Sequence, residues 1–218
     1  KQNESGRDAI QRGLYAGGAL SGGNNVTFEV YHSVFENNIA GYGGGAIYAG
    51  VQSNTTIVES KFYNNTSWYG GAVYTLLSGL TIVNSYFEGN QVTYGWINKG
   101  LSNESVQGDG GSIATDGASS SAVDNIGGQV HICGVSIRNS VAHHIGGAAY
   151  IWVYPPDSIL IDRVYVYNAT NYRSPRGAAK NNSDAMGTMR VSWGAITIKD
   201  TTFENTYVQG TAGGLYID

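Results

Sequence analysis

Apolar residues recur along this chain in pairs whose members lie five positions apart. Residues 56–65 show the pattern most clearly, and they align without a gap on residues 81–90 and 197–206. The first apolar anchor of each copy is Val30, Ile57, Ile82, Ile132, Ile161 or Ile198. Self-similarity at a steady period predicts a stack of equivalent structural units.

A glycine motif separates successive pairs of anchors. It consists of Gly-Gly-Ala, an aliphatic residue and usually a tyrosine, and its copies begin at Gly17, Gly44, Gly70 and Gly146, with degenerate copies at Gly110 and Gly213. The step from Ile82 to Ile132 is nearly double the others and contains the copy at Gly110. We therefore expect one further unit in that interval and about eight turns in all.

The odd spacing of the anchors predicts a bend between two strands. Side chains alternate strictly along a straight strand, so residues five apart would point to opposite faces. A corner is expected at the polar position between the anchors, which precedes a small residue and holds His32, Glu59, Asn84 or Asp200. With the glycine motif as a third strand, each unit closes a triangular turn that pairs in parallel with its neighbours.

These features predict an all-β fold, namely a single-stranded parallel β-helix or β-solenoid. A helical solenoid is the competing fold, but 32 glycines and many Val, Ile, Thr and Tyr residues disfavour helices. We expect residues 1–218 to form one domain, with irregular excursions near 92–127 and 168–192. Such excursions from a rigid scaffold are the best candidates for partner contacts.

Composition narrows the classes of function. Charged residues make up 13% of the chain and the net charge is −4, which gives no indication of a nucleic-acid partner. The longest apolar runs, such as residues 148–154, are too short to cross a bilayer. Cys133 is the single cysteine, so no internal disulfide framework is possible, and we expect its thiol to pack as a small hydrophobic group.

Asn-x-Ser/Thr sequences are more frequent than this composition would give by chance, which indicates a secreted, N-glycosylated protein. They begin at Asn3, Asn25, Asn54, Asn64, Asn65, Asn103, Asn168 and Asn181. Asn64 and Asn168 follow the second anchor by two residues, should face solvent and are the strongest candidates for glycans. Asn25, Asn54, Asn103 and Asn181 are further candidates, whereas Asn65 is expected to point inward and stay unmodified. N-linked glycans are the only non-protein groups expected, with no cofactor.

A family resemblance rests on Phe35-x-x-Asn38, Phe62-x-x-Asn65 and Phe87-x-x-Asn90, the first two followed by Gly-Gly-Ala-aliphatic. These motifs resemble the FxxN and GGAI repeats of chlamydial polymorphic outer membrane proteins. More broadly they are similar to right-handed parallel β-helix repeats of the pectin-lyase-like superfamily. The resemblance implies a right-handed coil and a surface adhesin. The resemblance is best over residues 17–91. It does not extend to the membrane anchoring of that family.

The repeated positions have expected physical roles. Asn38, Asn65 and Asn90 should form a ladder of side-chain amides at one corner, each donating to the next turn. Phe35, Phe62 and Phe87 should fill the interior, one above another. Tyr48, Tyr74 and Tyr150 should form an outward column, which either stabilises the sheet or offers an aromatic platform to sugars or a neighbouring subunit.

Residues with catalytic chemistry are sparse. The acids are dispersed, and the best candidate cluster is Asp162, Arg163 and Asp200, without the paired-aspartate, Gly-His-Gly and Arg-x-Lys set of polygalacturonases. His143 and His144 are adjacent, so they should point in opposite directions and supply surface polarity, not a metal site. We therefore expect no enzyme activity and no catalytic, metal or cofactor residue.

The repeat begins by about Gly17 and is still running at Asp218, so the open end of the coil should need a neighbouring domain or another copy stacked head to tail. The leading interpretation is a non-enzymatic, extracellular or cell-surface structural or adhesive β-helix that is N-glycosylated and self-assembles as a filament subunit. Surface glycans are candidate partners. The alternative is a carbohydrate-binding or polysaccharide-cleaving β-helix with a site near Asp162.

Overall fold

A computed structural model describes residues 3–4, 17–93, 108–118, 128–172 and 185–218. Within these ranges every regular element is a β-strand, and no helix is long and apolar enough to span a bilayer. The strands wind into a right-handed parallel β-solenoid of about seven turns. The predicted fold class is therefore confirmed. The excursions expected near 92–127 and 168–192 fall largely outside the described residues.

Four parallel sheets run along the solenoid, and a full turn contributes one strand to each. The glycine sheet contains Leu20–Gly22, Ile47–Ala49, Val73–Leu76, Ile113–Asp116, Ala149–Trp152, Met189–Ser192 and Leu215–Ile217. The first-anchor sheet contains Thr27–Tyr31, Asn54–Val58, Gly79–Val83, Gln129–Cys133, Ser158–Asp162 and Ala195–Lys199. The second-anchor sheet contains Val34–Glu36, Lys61–Tyr63, Tyr86–Glu88, Ser136–Arg138, Tyr165–Tyr167 and Thr202–Glu204. The short-strand sheet contains Asn3–Glu4, Asn38–Ile39, Thr66–Ser67, Gln91–Val92, Val141–Ala142, Thr170–Asn171 and Tyr207–Val208, and a separate pair joins Ala185–Met186 to Gly210–Thr211.

The cross-section of a turn has one strand more than the predicted triangle. The additional strands are those of the short-strand sheet, which are two residues long and follow the second-anchor strands. A strand of two residues is too short to show the alternation by which strands are recognised in a sequence. The turn is therefore four-sided, and the chain changes direction once more than the repeat pattern indicated.

The turn count is also one lower than expected, because the long interval before Ile132 hides no complete unit. Ile82 pairs directly with Ile132 across adjacent turns. Within the interval, Ile113–Asp116 lies in the glycine sheet between Val73–Leu76 and Ala149–Trp152. The glycine motif at Gly110 thus belongs to the same turn as Ile132, and the interval is long because of added residues, not an added turn.

The predicted corner between the two anchor strands is present in every complete turn. The corner residues have φ between 48° and 64°, and they are His32, Glu59, Asn84, Gly134, Arg163 and Asp200. A serine often follows because its hydroxyl bridges two turns. Ser60 Oγ accepts a hydrogen bond of 3.1 Å from the backbone N–H of Ser33 and donates one of 2.9 Å to the carbonyl of Val58. The small residue therefore satisfies backbone groups where the strand pairing is interrupted.

The anchors fill a narrow dry interior in register. The first anchors pair in one column from Val30 to Ile198. In the second column the ring centroids of Phe35 and Phe62 are 4.9 Å apart and those of Phe62 and Phe87 are 4.6 Å apart, with rings within 7° of parallel. Phe62 and Phe87 are fully buried. The spacing of the rings matches the distance between paired strands, so the stack follows directly from the register.

Both glycines of the repeated motif have a structural reason. Gly70 has φ +55°, which glycine adopts without strain. Gly71 lies where a Cβ atom would be 2.1 Å from the carbonyl oxygen of Gly111 in the next turn. The first glycine therefore makes the corner and the second allows adjacent turns to approach at that corner.

Replacing the central ring of the stack should reveal how much the interior contributes. We predict that Phe62→Ala lowers the free energy of unfolding by about 3–5 kcal/mol, because it leaves a cavity between two rings that cannot close. Val34→Ala on the same sheet, where the side chain is 62% exposed, should cost less than about 1 kcal/mol. Urea unfolding of both variants measures the difference, and equal losses would contradict a packed phenylalanine column.

Candidate functional site

The inward asparagines form a hydrogen-bonded column at the corner before the short strands. Asn38 Nδ2 donates to Asn65 Oδ1 at 2.8 Å, and Asn65 Nδ2 donates to Asn90 Oδ1 at 2.9 Å. Each acceptor oxygen also receives the backbone N–H of the asparagine one turn earlier, at 3.1 and 2.9 Å. Asn65 and Asn90 are fully buried. The side-chain amides therefore connect successive turns at a buried position where water cannot supply the hydrogen bonds. Their role is to stabilise the fold.

A second asparagine column lies immediately beside the first and faces solvent. Its members have φ between 50° and 56°, and they are Asn37, Asn64, Asn139, Asn168 and Asn205. Asparagine tolerates this left-handed conformation better than most residues, so its recurrence here has a backbone cause. Both strongest glycan candidates belong to this column. The corner conformation alone therefore accounts for part of the excess of Asn-x-Ser/Thr sequences.

The structure separates the glycan candidates by exposure. The side chains of Asn25, Asn54, Asn64 and Asn168 are exposed, whereas that of Asn65 is fully buried in the ladder. Asn168 Nδ2 donates to Asn139 Oδ1 at 2.7 Å. Asn103 and Asn181 lie outside the described residues. Exposure permits modification at the four described sites, and whether they carry glycans stays a prediction.

The outer surface of the glycine sheet carries a cluster of rings that we name the aromatic face. It consists of Tyr42, Tyr48, Trp68, Tyr69, Tyr74, Tyr150, Trp152, Tyr154 and Trp193. Tyr48 and Tyr74 are neighbours in the predicted column, with centroids 5.7 Å apart. Tyr42 and Tyr69 pack on Tyr74 at 5.9 and 5.5 Å, so Tyr74 is only 4% exposed although it points away from the interior.

The other half of the aromatic face is more open. Trp152 and Trp193 have centroids 5.1 Å apart, and Tyr154 packs edge-on against Trp193 at 6.1 Å. Trp193 is 48% exposed and Tyr154 is 40% exposed. The Tyr154 hydroxyl donates to Asp116 at 3.0 Å. This half therefore presents two large, partly exposed rings to solvent beside a carboxylate.

The predicted tyrosine column is interrupted once. Ala114 pairs with Tyr74 on one side and with Tyr150 on the other. Burial, together with neighbouring Tyr42 and the negative charge of Asp116, raises the pKa of Tyr74 well above the usual value for a phenol. Burial, together with the negative charges of Asp109 and Asp116, does the same for the pKa of Tyr150. Both hydroxyls therefore remain protonated at neutral pH.

The two adjacent histidines have different environments, and the expectation of surface polarity is wrong for one of them. His144 is 4% exposed, and its Nδ1 lies 2.8 Å from Oδ1 of Asp109, which is equally buried. His143 is half-buried and stacks on Tyr172 at 5.6 Å. They do point in opposite directions, as predicted. No signal in the sequence links His144 to a partner 35 residues away, because pairing depends on the register of the turns.

The polar cluster around Asp162 is an ion-pair network on the outer surface. Asp162 Oδ2 lies 3.4 Å from Arg163 Nε and 3.7 Å from Lys199 Nζ. Cys133 contacts Asp162 and Arg163. Its thiol lies 3.5 Å from Asp162 Oδ2, and Arg163 Nη2 donates to Sγ at 2.9 Å. The thiol therefore sits among charged groups, so the expectation of a small hydrophobic contact is wrong. Among the described residues, no group of three or more His, Cys, Asp and Glu side chains could hold a metal ion.

Comparison with known proteins supports the type of repeat. Residues 32–50 match the family described as the Chlamydia polymorphic membrane protein repeat. The matched segment contains Phe35, Asn38 and the glycine motif at Gly44. No curated protein and no solved structure matches the chain. The chain is a parallel β-helix repeat protein whose repeat is similar to that family's.

The two asparagine columns can be distinguished by neighbouring substitutions. We predict that Asn65→Ala lowers the free energy of unfolding by about 2–4 kcal/mol, because it removes the acceptor of two hydrogen bonds and the donor of two more. Asn64→Gly should cost less than about 1 kcal/mol, since glycine keeps the left-handed corner. Thermal or urea unfolding of unglycosylated protein is the measurement. A larger loss at residue 64 would contradict the assignment of the two columns.

Proposed function

We propose that the chain is a non-enzymatic structural or adhesive β-helix of the cell surface, which associates end to end with further copies and carries N-linked glycans. A surface location is supported by the similarity of residues 32–50 to a repeat of Chlamydia membrane proteins. A structural role is supported by buried ladders and stacked rings, which account for most of the repeated polar and aromatic residues.

The observation that carries the proposal is the match between the two ends of the solenoid. In the outermost described turn at one end Ile198 and Phe203 are only partly buried, and so is Phe35 in the outermost described anchor strands at the other. Phe35 and Phe203 belong to one column of paired positions, as do Val30 and Ile198. A second copy stacked on the last turn would therefore continue both columns with residues of the same kind.

The backbone at the two ends supports the same association. Among the described residues, Ala195–Lys199 and Thr202–Glu204 are the outermost strands of their sheets at one end, and Thr27–Tyr31 and Val34–Glu36 are outermost at the other. Outermost strands present backbone N–H and C=O groups that can pair with another chain. Because the two ends differ, the contact is head to tail, and repetition of it generates a filament.

A charge placed in the interior column of first anchors should block end-to-end association. We predict that Ile198→Lys, which directs an ammonium group toward the interior at the open end, shifts the protein from filaments to single particles. Thr197→Lys on the same strand points outward and should leave association unchanged. Electron microscopy and light scattering at matched concentrations give the readout. Wild-type protein that stays monomeric at high concentration would contradict the proposal.

Glycosylation is the second part of the proposal. When the chain is secreted from a eukaryotic host, we predict that Asn64 and Asn168 are modified and that Asn65 is not, because only the first two are exposed. Mass spectrometry before and after enzymatic removal of N-glycans locates the sites, with Asn64→Gln and Asn168→Gln as matched variants. An unmodified chain from that host would show that the Asn-x-Ser/Thr excess reflects corner geometry alone.

Carbohydrate binding or cleavage is the second candidate function. The exposed rings of Tyr154 and Trp193 beside Asp116 favour binding over cleavage. The cleaving form requires catalysis near Asp162, whose carboxylate contacts Arg163 and Lys199. Release of reducing or unsaturated sugars from acidic polysaccharides, abolished by Asp162→Ala, would replace the structural proposal with an enzymatic one.

A further inference from the structure

A groove crosses the outside of the second-anchor sheet, on a different side of the solenoid from the aromatic face. It is an open depression with a volume of about 500 Å³. Its lining residues are Val34, Glu36, Tyr63, Asn64, Glu88, Gly89 and Asn139. They belong to four successive turns, which at about 4.8 Å per turn gives a length of roughly 14 Å. The groove is therefore long enough for a short linear ligand lying along the solenoid axis.

One departure from the repeat lies in the groove. Gly89 occupies the solvent-facing corner at which the neighbouring turns have Asn64 and Asn139. Its φ is +65°, close to the values of the asparagines in that column. A Cβ at this position would lie 2.4 Å from Asn64 Oδ1, so the Asn64 side chain leans into the space that a side chain at residue 89 would fill. The column therefore has one side chain fewer at residue 89, and the amide of Asn64 fills part of the space that this leaves.

Polar groups in the groove are held in place by neighbouring side chains. The carboxylate of Glu88 accepts hydrogen bonds from the Tyr86 hydroxyl at 2.8 Å and from Asn139 Nδ2 at 3.2 Å. Tyr63 is half-buried and packs against Tyr86 at 5.8 Å, which fixes the ring in the wall. A carboxylate and an aromatic ring that are already ordered bind a ligand at a lower entropic cost than mobile groups do.

The mixture of apolar and polar groups that line the groove favours a particular chemical class of ligand. The ring of Tyr63 and the methyl groups of Val34 offer apolar contact, while the carboxylates of Glu36 and Glu88 accept hydrogen bonds and the amide of Asn64 can donate and accept. A sugar chain presents both apolar C–H faces and hydroxyl groups, so it can use all of these at once. Among the described residues, no Lys, Arg or His lines the groove. Two carboxylates without a lining cation repel uronate or sulfated sugars.

We infer that this groove is a binding site for an uncharged oligosaccharide, with the sugar ring over Tyr63 and its hydroxyls bonded to Glu36, Glu88 and Asn64. The site does not depend on end-to-end association, because it lies on the side of the solenoid and within one chain. When Asn64 carries no glycan, the site gives the β-helix a ligand class, and it distinguishes neutral from acidic sugars.

Titration calorimetry on bacterially produced, unglycosylated protein tests the inference. The probes are an uncharged hexose trisaccharide and its uronate counterpart. The neutral sugar should bind, and the uronate should bind at least about tenfold more weakly. Tyr63→Ala should weaken binding of the neutral sugar by about tenfold or more, whereas Tyr31→Ala, an exposed tyrosine on the first-anchor sheet, should leave it unchanged.

Gly89→Asn is the decisive variant, because it restores the residue that the repeat uses at this corner. Asparagine accepts the backbone conformation, and the flexible Asn64 side chain can move aside, so the unfolding temperature should be retained while binding is lost. Unchanged binding in this variant, equal affinity for neutral and uronate sugars, or no binding of the neutral sugar to the wild type would each overturn the inference. A glycan attached to Asn64 would occupy the groove, so protein glycosylated at that residue should not bind the neutral sugar.

Discussion

Parallel hydrogen bonding between equivalent strands of successive turns is the constraint on which the rest of this structure depends. Once Ile57 is paired with Ile82 and Phe62 with Phe87, every other residue of those turns is placed over its counterpart. The interior columns, the left-handed corners and the asparagine ladder are consequences of that register. Inward polar residues are tolerated because the neighbouring turn supplies the partner that each one needs.

The same constraint shapes the outer surfaces. A side chain that points outward in one turn lies beside the outward side chain at the same position in the next, so surfaces are built as columns. The aromatic face is such a column widened by corner residues such as Tyr42 and Trp193. The columns change at two places: Ala114 interrupts the tyrosines, and Gly89 interrupts the exposed asparagines beside the proposed binding groove.

Much of this architecture could be predicted from the sequence, because the repeat reports the register directly. The anchors, the corner at Glu59 and Asn84 and the parallel stacking were all readable from spacing. The two-residue strands could not be predicted from the spacing, since they are too short to have a pattern. The long interval before Ile132 indicates an extra turn in the sequence, but the structure has none there. Contacts between unlike residues, such as Asp109 with His144 and Cys133 with Arg163, depend on which turns are adjacent and have no signal along the chain.

The exposed corner asparagines illustrate how structure changes the interpretation of a motif. From the sequence, Asn64 and Asn168 indicate glycosylation, and their exposure agrees with that. The structure adds a backbone reason for asparagine at both positions. The Asn-x-Ser/Thr sequence by itself is therefore weaker evidence for glycosylation. The same geometry explains why the glycine at residue 89 is informative, because it departs from a position with a physical preference.

Cross-linking of paired cysteines tests the register most directly. In a Cys133→Ser background, Lys61→Cys with Tyr86→Cys places two outward thiols on adjacent turns, at residues that pair directly. Lys61→Cys with Ser136→Cys places them two turns apart, at roughly 10 Å. The account predicts rapid cross-linking of the first pair by a short bifunctional thiol reagent and little of the second. Equal cross-linking of both pairs, or none in the first, would contradict in-register stacking of the turns.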